Sequence, residues 1–449
     1  MGIRITALGA AREVGRSAIL IEDDKRSILL DCGIKILHGE DRYATPVGLE
    51  KIAPRLDAVI LSHAHLDHSG YIPALYHMGF SGKIYATPPT KDVTEILRRD
   101  MLKIMSIEMQ RGLEPLWSRS EMYRALEDFE VYPYEEEFEV AGVKVKFYDA
   151  GHTLGSAQIL LDRDGLRILY TGDIKPEPTE FFDGAVEPKE KVDIVISEAT
   201  NGSEEVPKRE EVKKALEEAV EDTFMRRGKI LIPAFAFGRS QEVVASLVER
   251  RVPAYIYMDG LGTKINEIFR KYRNENRFSP EALRKFRRPP MDRSDVIEVR
   301  NMRGSGIDPL KYRKLIVGFS KPIVIVSTNG MLEGGPILSY LELMSSDSRS
   351  LLAFSGYQVE GTLGRKILDG ARSVTIRRPN GEEISININM RVDYFRLSGH
   401  ARREDLIRYI KTLSPSRVFF VHGDSESIDS MSEELGGEAL EINKTISLS

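Results

Sequence analysis

The sequence predicts an α/β protein in which a parallel-sheet domain interrupts a strand-rich one. Three observations carry this. Short strand-like runs dominate from the start to about residue 200, among them IRITALG, SAILIEDD, SILLDCG, DAVILSH, VKVKFYDAGH and DIVISEA. From about residue 204 strands and helices alternate, which is the pattern of a parallel sheet covered on both faces. The C-terminal part then returns to ISININMRVDYFRLSGH, REDLIRYIKTL and RVFFVHGD. A chain of 449 residues is long enough for two cores. The expected division is 1–203 and 389–449 for the first domain, with 204–388 inserted.

In chain order, the runs joined by EDDK and by DRDG read as hairpins. The stretch DVTEILRRDMLKIMSIEMQRG interrupts the strands as a helix. Pro207 opens another, with Val212, Ala215, Leu216, Ala219, Val220, Thr223 and Phe224 on one face. KILIPAF, PAYIYMDG, PIVIVSTNG and SLLAFSG follow as strands, with helices at SQEVVASLVERR and TKINEIFRKY.

Composition excludes several classes. A charged fraction of 30% against 41% hydrophobic is that of a globular chain, and a net charge of -5 announces no bulk attraction to nucleic acid. Any anionic ligand must be held by local patches. Cys32 is the single cysteine, so no disulfide framework exists and a reducing, cytoplasmic setting is expected. No leader-like segment and no run long enough for a bilayer is present, so no membrane partner is expected. MGIRIT matches a myristoylation pattern, but the alternation of GIRITAL reads as a first strand.

The stretch LSHAHLDHSG places His63, His65, Asp67 and His68 together in a chain with only eight histidines. A common rule governs the rest: apolar runs end in ionisable residues. DAVILS leads to His63, VKVKFYDAG to His152, RILYTG to Asp173, DIVIS to Glu198, DYFRLSG to His400 and RVFFV to His422. Ligands gather where strand ends converge at the carboxyl edge of a sheet. Imidazoles and carboxylates without a thiol suit zinc, with manganese or iron as alternatives where carboxylates contribute. His63 and His65 can face one ion while Asp67 and His68 turn toward a second; His152 and His422 can complete the two shells, and Asp173 can bridge. His38 and His77 read as an ordinary loop residue and a helix-end residue.

HAHLDH, GHTLGS and TGD, in that order, resemble the motifs of the metallo-β-lactamase fold, and SEATNG, LSGH and FFVHGD resemble the further motifs of its β-CASP nucleic-acid-processing branch. The nearest likeness is to archaeal homologues of the cleavage and polyadenylation specificity factor endonuclease, with ribonuclease J a near relative. The resemblance covers essentially the whole chain. It implies an αββα metallo-β-lactamase sandwich with an inserted β-CASP domain. It further implies two zinc ions, one on His63, His65 and His152 and one on Asp67, His68 and His422, with Asp173 bridging. His400 would act on the scissile phosphate with Glu198 orienting it, so Asp67, Asp173, Glu198 and His400 form the catalytic set. The implied activity is hydrolysis of single-stranded RNA, by internal cutting or 5′ to 3′ trimming, leaving a 5′-phosphate. Implied partners are RNA-processing or transcription-termination proteins, with a homo-oligomer compatible. Two departures stand out: Asn201-Gly202 replaces the usual tyrosine-glycine, and Asp424 stands where glutamate is commoner. K-homology modules and the C-terminal domain of ribonuclease J are not expected.

Substrate handling has weaker candidates. Gly356, Gly361 and Gly364 can open the backbone to a phosphate, with Arg365 adding charge. The basic stretch from Arg270 to Arg293 can track RNA, with Tyr272, Phe278 and Phe286 interleaved for stacking. Competing readings are a DNA nuclease of the repair branch, which usually has valine in place of His422; a small-molecule hydrolase, which leaves SEATNG and LSGH unexplained; and a silent scaffold, whose metal motifs would be eroded.

Overall fold

The computed structural model describes residues 2–37, 42–273, 278, 282, 289–299, 308–378 and 380–448. The chain divides into two compact units. One comprises Met1–Pro178, Asp183–Glu205 and His400–Ser449; the other comprises Thr179–Phe182 and Val206–Gly399.

The first unit holds two seven-stranded sheets. One runs in the order Thr445–Leu448, Ile3–Ala7, Ile19–Glu22, Ser27–Leu30, Ala58–Ile60, Lys83–Ala86, Phe129–Val131. The other runs Glu438–Ala439, Arg417–Val421, Ile194–Glu198, Leu166–Tyr170, Ala157–Arg163, Val143–Asp149, Glu137–Val140. Their continuous apolar runs follow from layering, because successive side chains of a strand face opposite ways. Ile194, Ile196, Phe419 and Val421 join Ile5, Ile19 and Ile60 between the sheets, while Val195, Val418 and Phe420 point outward under Leu406, Tyr409, Ile410 and Met431. On the first sheet Leu20, Leu29 and Val59 likewise pack outward against Leu49, Ile52 and Leu75. The result is an αββα sandwich whose central strands are buried on both faces, while edge strands such as Glu137–Val140 and Thr445–Leu448 expose alternate residues. Each fully buried Leu, Ile or Phe contributes about 1.5–3 kcal/mol.

The second unit is built on a six-stranded sheet in the order Val296–Val299, Tyr255–Asp259, Ile323–Ser327, Ile230–Pro233, Leu351–Phe354, Arg391–Tyr394. All its pairings are parallel, as the strand and helix alternation predicts.

ISININMRVDYFRLSGH is not one strand. Glu383–Asn387 pairs with Ser373–Arg377 in a separate two-stranded hairpin, whereas Arg391–Tyr394 forms the edge of the parallel sheet. Between them the amides of Asn389 and Met390 both turn to the Ser345 carbonyl, which breaks the ladder. The six ionisable ends therefore do not share one sheet. His63 follows a strand of the first sheet, His152, Asp173, Glu198 and His422 belong to the second, and His400 follows a strand of the parallel sheet.

Candidate metal centre

HAHLDH is held by its backbone. His65 caps the short helix Leu66–Ser69 and accepts the amides of His68 and Ser69. The carbonyls of Leu66, Asp67 and His68 accept from Ile34, Ser17 and Cys32. Gly33 lies so close that a Cβ there would fall 1.7 Å from the Asp67 carbonyl oxygen, so only glycine fits. His422 sits at φ 50, and its amide is fixed by the Ala10 carbonyl at 2.7 Å.

The seven predicted ligands come together in one cluster inside the first unit, buried except for the half-buried His65 and Asp67, in two groups sharing Asp173: His63, His65, His152 and Asp173, and Asp67, His68, Asp173 and His422. In the first, His65 Nδ1 is 3.1 Å from His63 Nε2 and 3.2 Å from His152 Nε2, and Asp173 Oδ2 lies 3.5 and 3.7 Å from those same Nε2 atoms. In the second, Asp173 Oδ1 is 3.2 Å from His68 Nε2, and His422 Nε2 is 3.5 Å from Asp67 Oδ2. Donors placed about 2.0–2.2 Å from a tetrahedral zinc stand about 3.3–3.6 Å apart, so these spacings fit a metal shell. Two buried atoms point the same way, since Asp173 Oδ1 and His422 Nε2 have no hydrogen-bond partner. Such atoms are costly unless something charged completes them.

The imidazoles are also set in the right tautomer. His68 Nδ1 bonds Asp31 Oδ2 at 2.7 Å, and His63 Nδ1 meets Ser62 Oγ at 3.1 Å, which itself donates to Asp31 at 2.7 Å. With each Nδ1 so engaged, Nε2 is the nitrogen that faces the cluster. Burial and the neighbouring charge of His68 hold His63 well below its ordinary range. His68 is raised in spite of burial, because Asp173 and Asp31 flank it. Burial opposes ionisation of Asp173 and Asp67, but the surrounding histidines outweigh it and hold both carboxyls low. The ionised carboxylates of Asp67 and Asp173 thus face a ring of imidazoles, a donor set that suits a divalent cation.

Glu198 ends its strand at the cluster, and His400 Nδ1 lies 3.1 and 3.0 Å from its two oxygens. Burial lowers the affinity of His400 for a proton, but Glu198 and Asp173 more than reverse this and raise it to about 9. Its ring centroid is 5.0 Å from that of His152.

Sequence reasoning missed Asp31, which accepts from Ser62, His68 and Tyr170 at 2.7–2.8 Å while fully buried. Its signal was present: SILLD ends an apolar run on a carboxylate, as TGD and ISE do. Thr200 was missed too, with its Oγ1 3.2 Å from His422 Nδ1.

Other expectations fare differently. The amides of Leu363, Gly364 and Arg365 are engaged by Glu333, the Met331 carbonyl and Thr362. Arg365 itself pairs with Asp369. Gly364 serves packing, since a Cβ there would meet Gln358 Oε1 at 1.9 Å. Those three amides are therefore not open to a phosphate. Tyr272 and Phe278 are buried, Phe278 lying 5.6 Å from Phe181 and 5.9 Å from Phe269, so neither is free to stack on a base. Arg270 is tied to Glu298, Asp292 and Glu267. Phe286 and His38 lie outside the described residues, and His77 is a surface partner of Glu121.

An αββα sandwich with a shared-aspartate histidine cluster and an inserted parallel-sheet unit defines a class of metallo-hydrolase: the chain belongs to the metallo-β-lactamase superfamily, in its β-CASP branch. The metallo-beta-lactamase superfamily domain matches residues 20–198, the Beta-Casp domain 241–367, and the Zn-dependent metallo-hydrolase RNA specificity domain 385–444. Among known proteins, the chain is 36% identical to the transcription termination factor FttA of Methanosarcina mazei, over 95% of this chain and 67% of that protein. The FttA of Methanocaldococcus jannaschii is 35% identical over 94% and 67%. Subunit 3 of the cleavage and polyadenylation specificity factor of Dictyostelium discoideum is 30% identical over 98% and 56%. A crystal structure of a protein of unknown function from Enterococcus faecalis V583 shares the fold, with a TM-score of 0.61 at 15% identity and 100% coverage of both chains. No helix among the described residues is long and apolar enough to cross a membrane.

Proposed function

We propose that this chain is a zinc-dependent ribonuclease that hydrolyses phosphodiester bonds of single-stranded RNA, serving RNA processing, decay or transcription termination. The observation that carries the reading is the pair of ligand groups meeting on Asp173 with His400 held by Glu198 at their edge. His63, His65 and His152 would hold one ion, Asp67, His68 and His422 the other, and Asp173 both. Two divalent ions held there would activate a water at neutral pH and stabilise the charge of a phosphoryl displacement. The chain's own residues do the rest. Asp31 fixes the ligand tautomers; Glu198 accepts from His400 Nδ1, which leaves Nε2 to donate a proton to the leaving oxygen. The match to an RNA specificity domain and the names of the relatives support RNA as the substrate.

The test pairs metal content with single-turnover cleavage of an unstructured RNA. His422→Ala is expected to lose one ion together with activity. His400→Ala should keep both ions and its RNA affinity but slow the chemical step about 10²–10⁴-fold, with Glu198→Gln a milder case. Loss of zinc from His400→Ala, or wild-type cleavage by it, would refute the assignment. RNAs carrying 5′-triphosphate, monophosphate or hydroxyl ends distinguish internal fragments from mononucleotide products.

A further inference from the structure

His400 belongs to no helix or strand. The preceding strand ends at Tyr394 and the next helix starts at Arg403, so tertiary contacts alone set where the imidazole stands. Its Nδ1 is anchored on Glu198, and the backbone decides where that anchored ring stands relative to Asp173.

The backbone is held at three consecutive groups. The His400 carbonyl accepts from Lys175 Nζ at 3.0 Å, the Ala401 amide donates to the Ile174 carbonyl at 2.8 Å, and the Ala401 carbonyl accepts from Asn201 Nδ2 at 2.8 Å. Lys175 and Asn201 are both buried. A buried ammonium needs a counter-charge, and Glu177 supplies it at 3.2 Å. The segment that bears Lys175 is itself tied down: the Ile174 amide donates to Glu198 Oε1 at 2.7 Å, and the Lys175 amide to the Ala150 carbonyl at 2.8 Å. Asp173 of the ligand cluster thus sits on the same short run that grips His400.

We propose that Lys175 and Asn201 are positioning residues that clamp the His400–Ala401 backbone, fixing the imidazole relative to Asp173. The kinetic part of this rests on the ribonuclease reading; the clamp itself does not. Misplacement of a reacting group by about 1 Å costs about 100-fold in rate, so a loosened clamp should act on turnover and leave binding alone.

The experiment uses the zinc-loaded full chain and three variants: Lys175→Met, Asn201→Ala and the conservative Lys175→Arg. Hydrogen exchange is followed over residues 395–402, with residues 418–424 as an internal reference, because the His422 amide has its own partner in Ala10. Zinc content, RNA affinity and single-turnover cleavage are measured alongside. Lys175→Met and Asn201→Ala should exchange about 10-fold faster over 395–402 with the reference unchanged. They should retain zinc and RNA affinity and cleave about 10–100-fold more slowly, and Lys175→Arg should recover most of both. Unchanged exchange over 395–402 overturns the clamp, and so does a parallel rise in the reference segment with loss of zinc, which would make the role one of general stability. A wild-type protein inert on RNA would defeat the ribonuclease reading while the exchange comparison still decides the clamp.

Discussion

Asp31 shows how much one side chain outside a ligand set can govern it. It takes His68 Nδ1 directly and His63 through Ser62, and it carries Tyr170 as well. Asp31→Asn keeps the shape but presents an amide hydrogen toward at least one of these donors. Partners behind a ligand are worth about 10–100-fold in metal affinity, so chelator competition should show zinc held that much more weakly, with the fold intact by circular dichroism. Unchanged affinity would remove Asp31 from the support of the centre. That the cluster residues would gather was legible because histidine is scarce here and His63, His152, Asp173 and His422 each follow an apolar run. Lys175 and Asn201 were not, for a physical reason: their partners are backbone carbonyls 225 and 200 residues away. No local pattern encodes a carbonyl as a destination.

At the scale of elements, the long helix Pro88–Met109 is tied to the loop that bears His152. Thr87 accepts the Thr90 amide as the cap and donates to the Gly155 carbonyl at 2.6 Å, and Thr90 Oγ1 donates to the same carbonyl at 2.8 Å. Gly155, at φ 88, presses on Pro89 and Thr90 too closely for any Cβ. Thr87→Ala removes the cap and one of the two bonds to Gly155, and should cost about 1–2 kcal/mol in urea unfolding; Thr87→Ser, which keeps the oxygen, should recover most of it. Individual elements were legible from their apolar spacing. Which strands share a sheet was not, since pairing is chosen by partners distant in sequence. ISININMRVDYF looks continuous, yet its two halves pair with Ser373–Arg377 and with Leu351–Phe354.

Across the whole molecule, the short segment Thr179–Phe182 groups with residues 206–399 although the chain on either side does not. Glu180 anchors it, accepting from Arg209 Nε at 3.0 Å with Lys213 Nζ 3.5 Å away, in a network that also holds Glu242, Glu249, Glu210 and Arg239. Burial alone would raise the Glu180 carboxyl, but Arg209 and Lys213 outweigh it and hold it down to about 2. A carboxyl depressed on folding contributes stability that is fully present above its unfolded value, about 4.3, and is lost as pH falls toward about 2. Thermal melts should therefore show this unit weakening between about pH 5 and 2. Glu180→Gln removes the carboxylate shared by Arg209 and Lys213 while Glu242 and Glu249 still face them, so it should cost about 1–3 kcal/mol at neutral pH and flatten that acid slope. An unaltered slope would mean that other carboxyls set it.

The joining of His63 and His422 in one cluster has a consequence for how the protein is made. Synthesis proceeds at about 5–20 residues per second, and roughly 360 residues separate these two ligands, so the first emerges from the ribosome about 20–70 seconds before the last. During that interval His63, His65 and His152 are already available while the Asp67 and His68 side lacks His422. The strand that delivers His422 must also slot beside Ile194–Glu198, a contact of very long sequence separation and so slow to form. On the proposed ligand sets, metal uptake is expected to be ordered in time: the His63, His65 and His152 side is complete before the strand Arg417–Val421 docks, and the Asp67 and His68 side only after it.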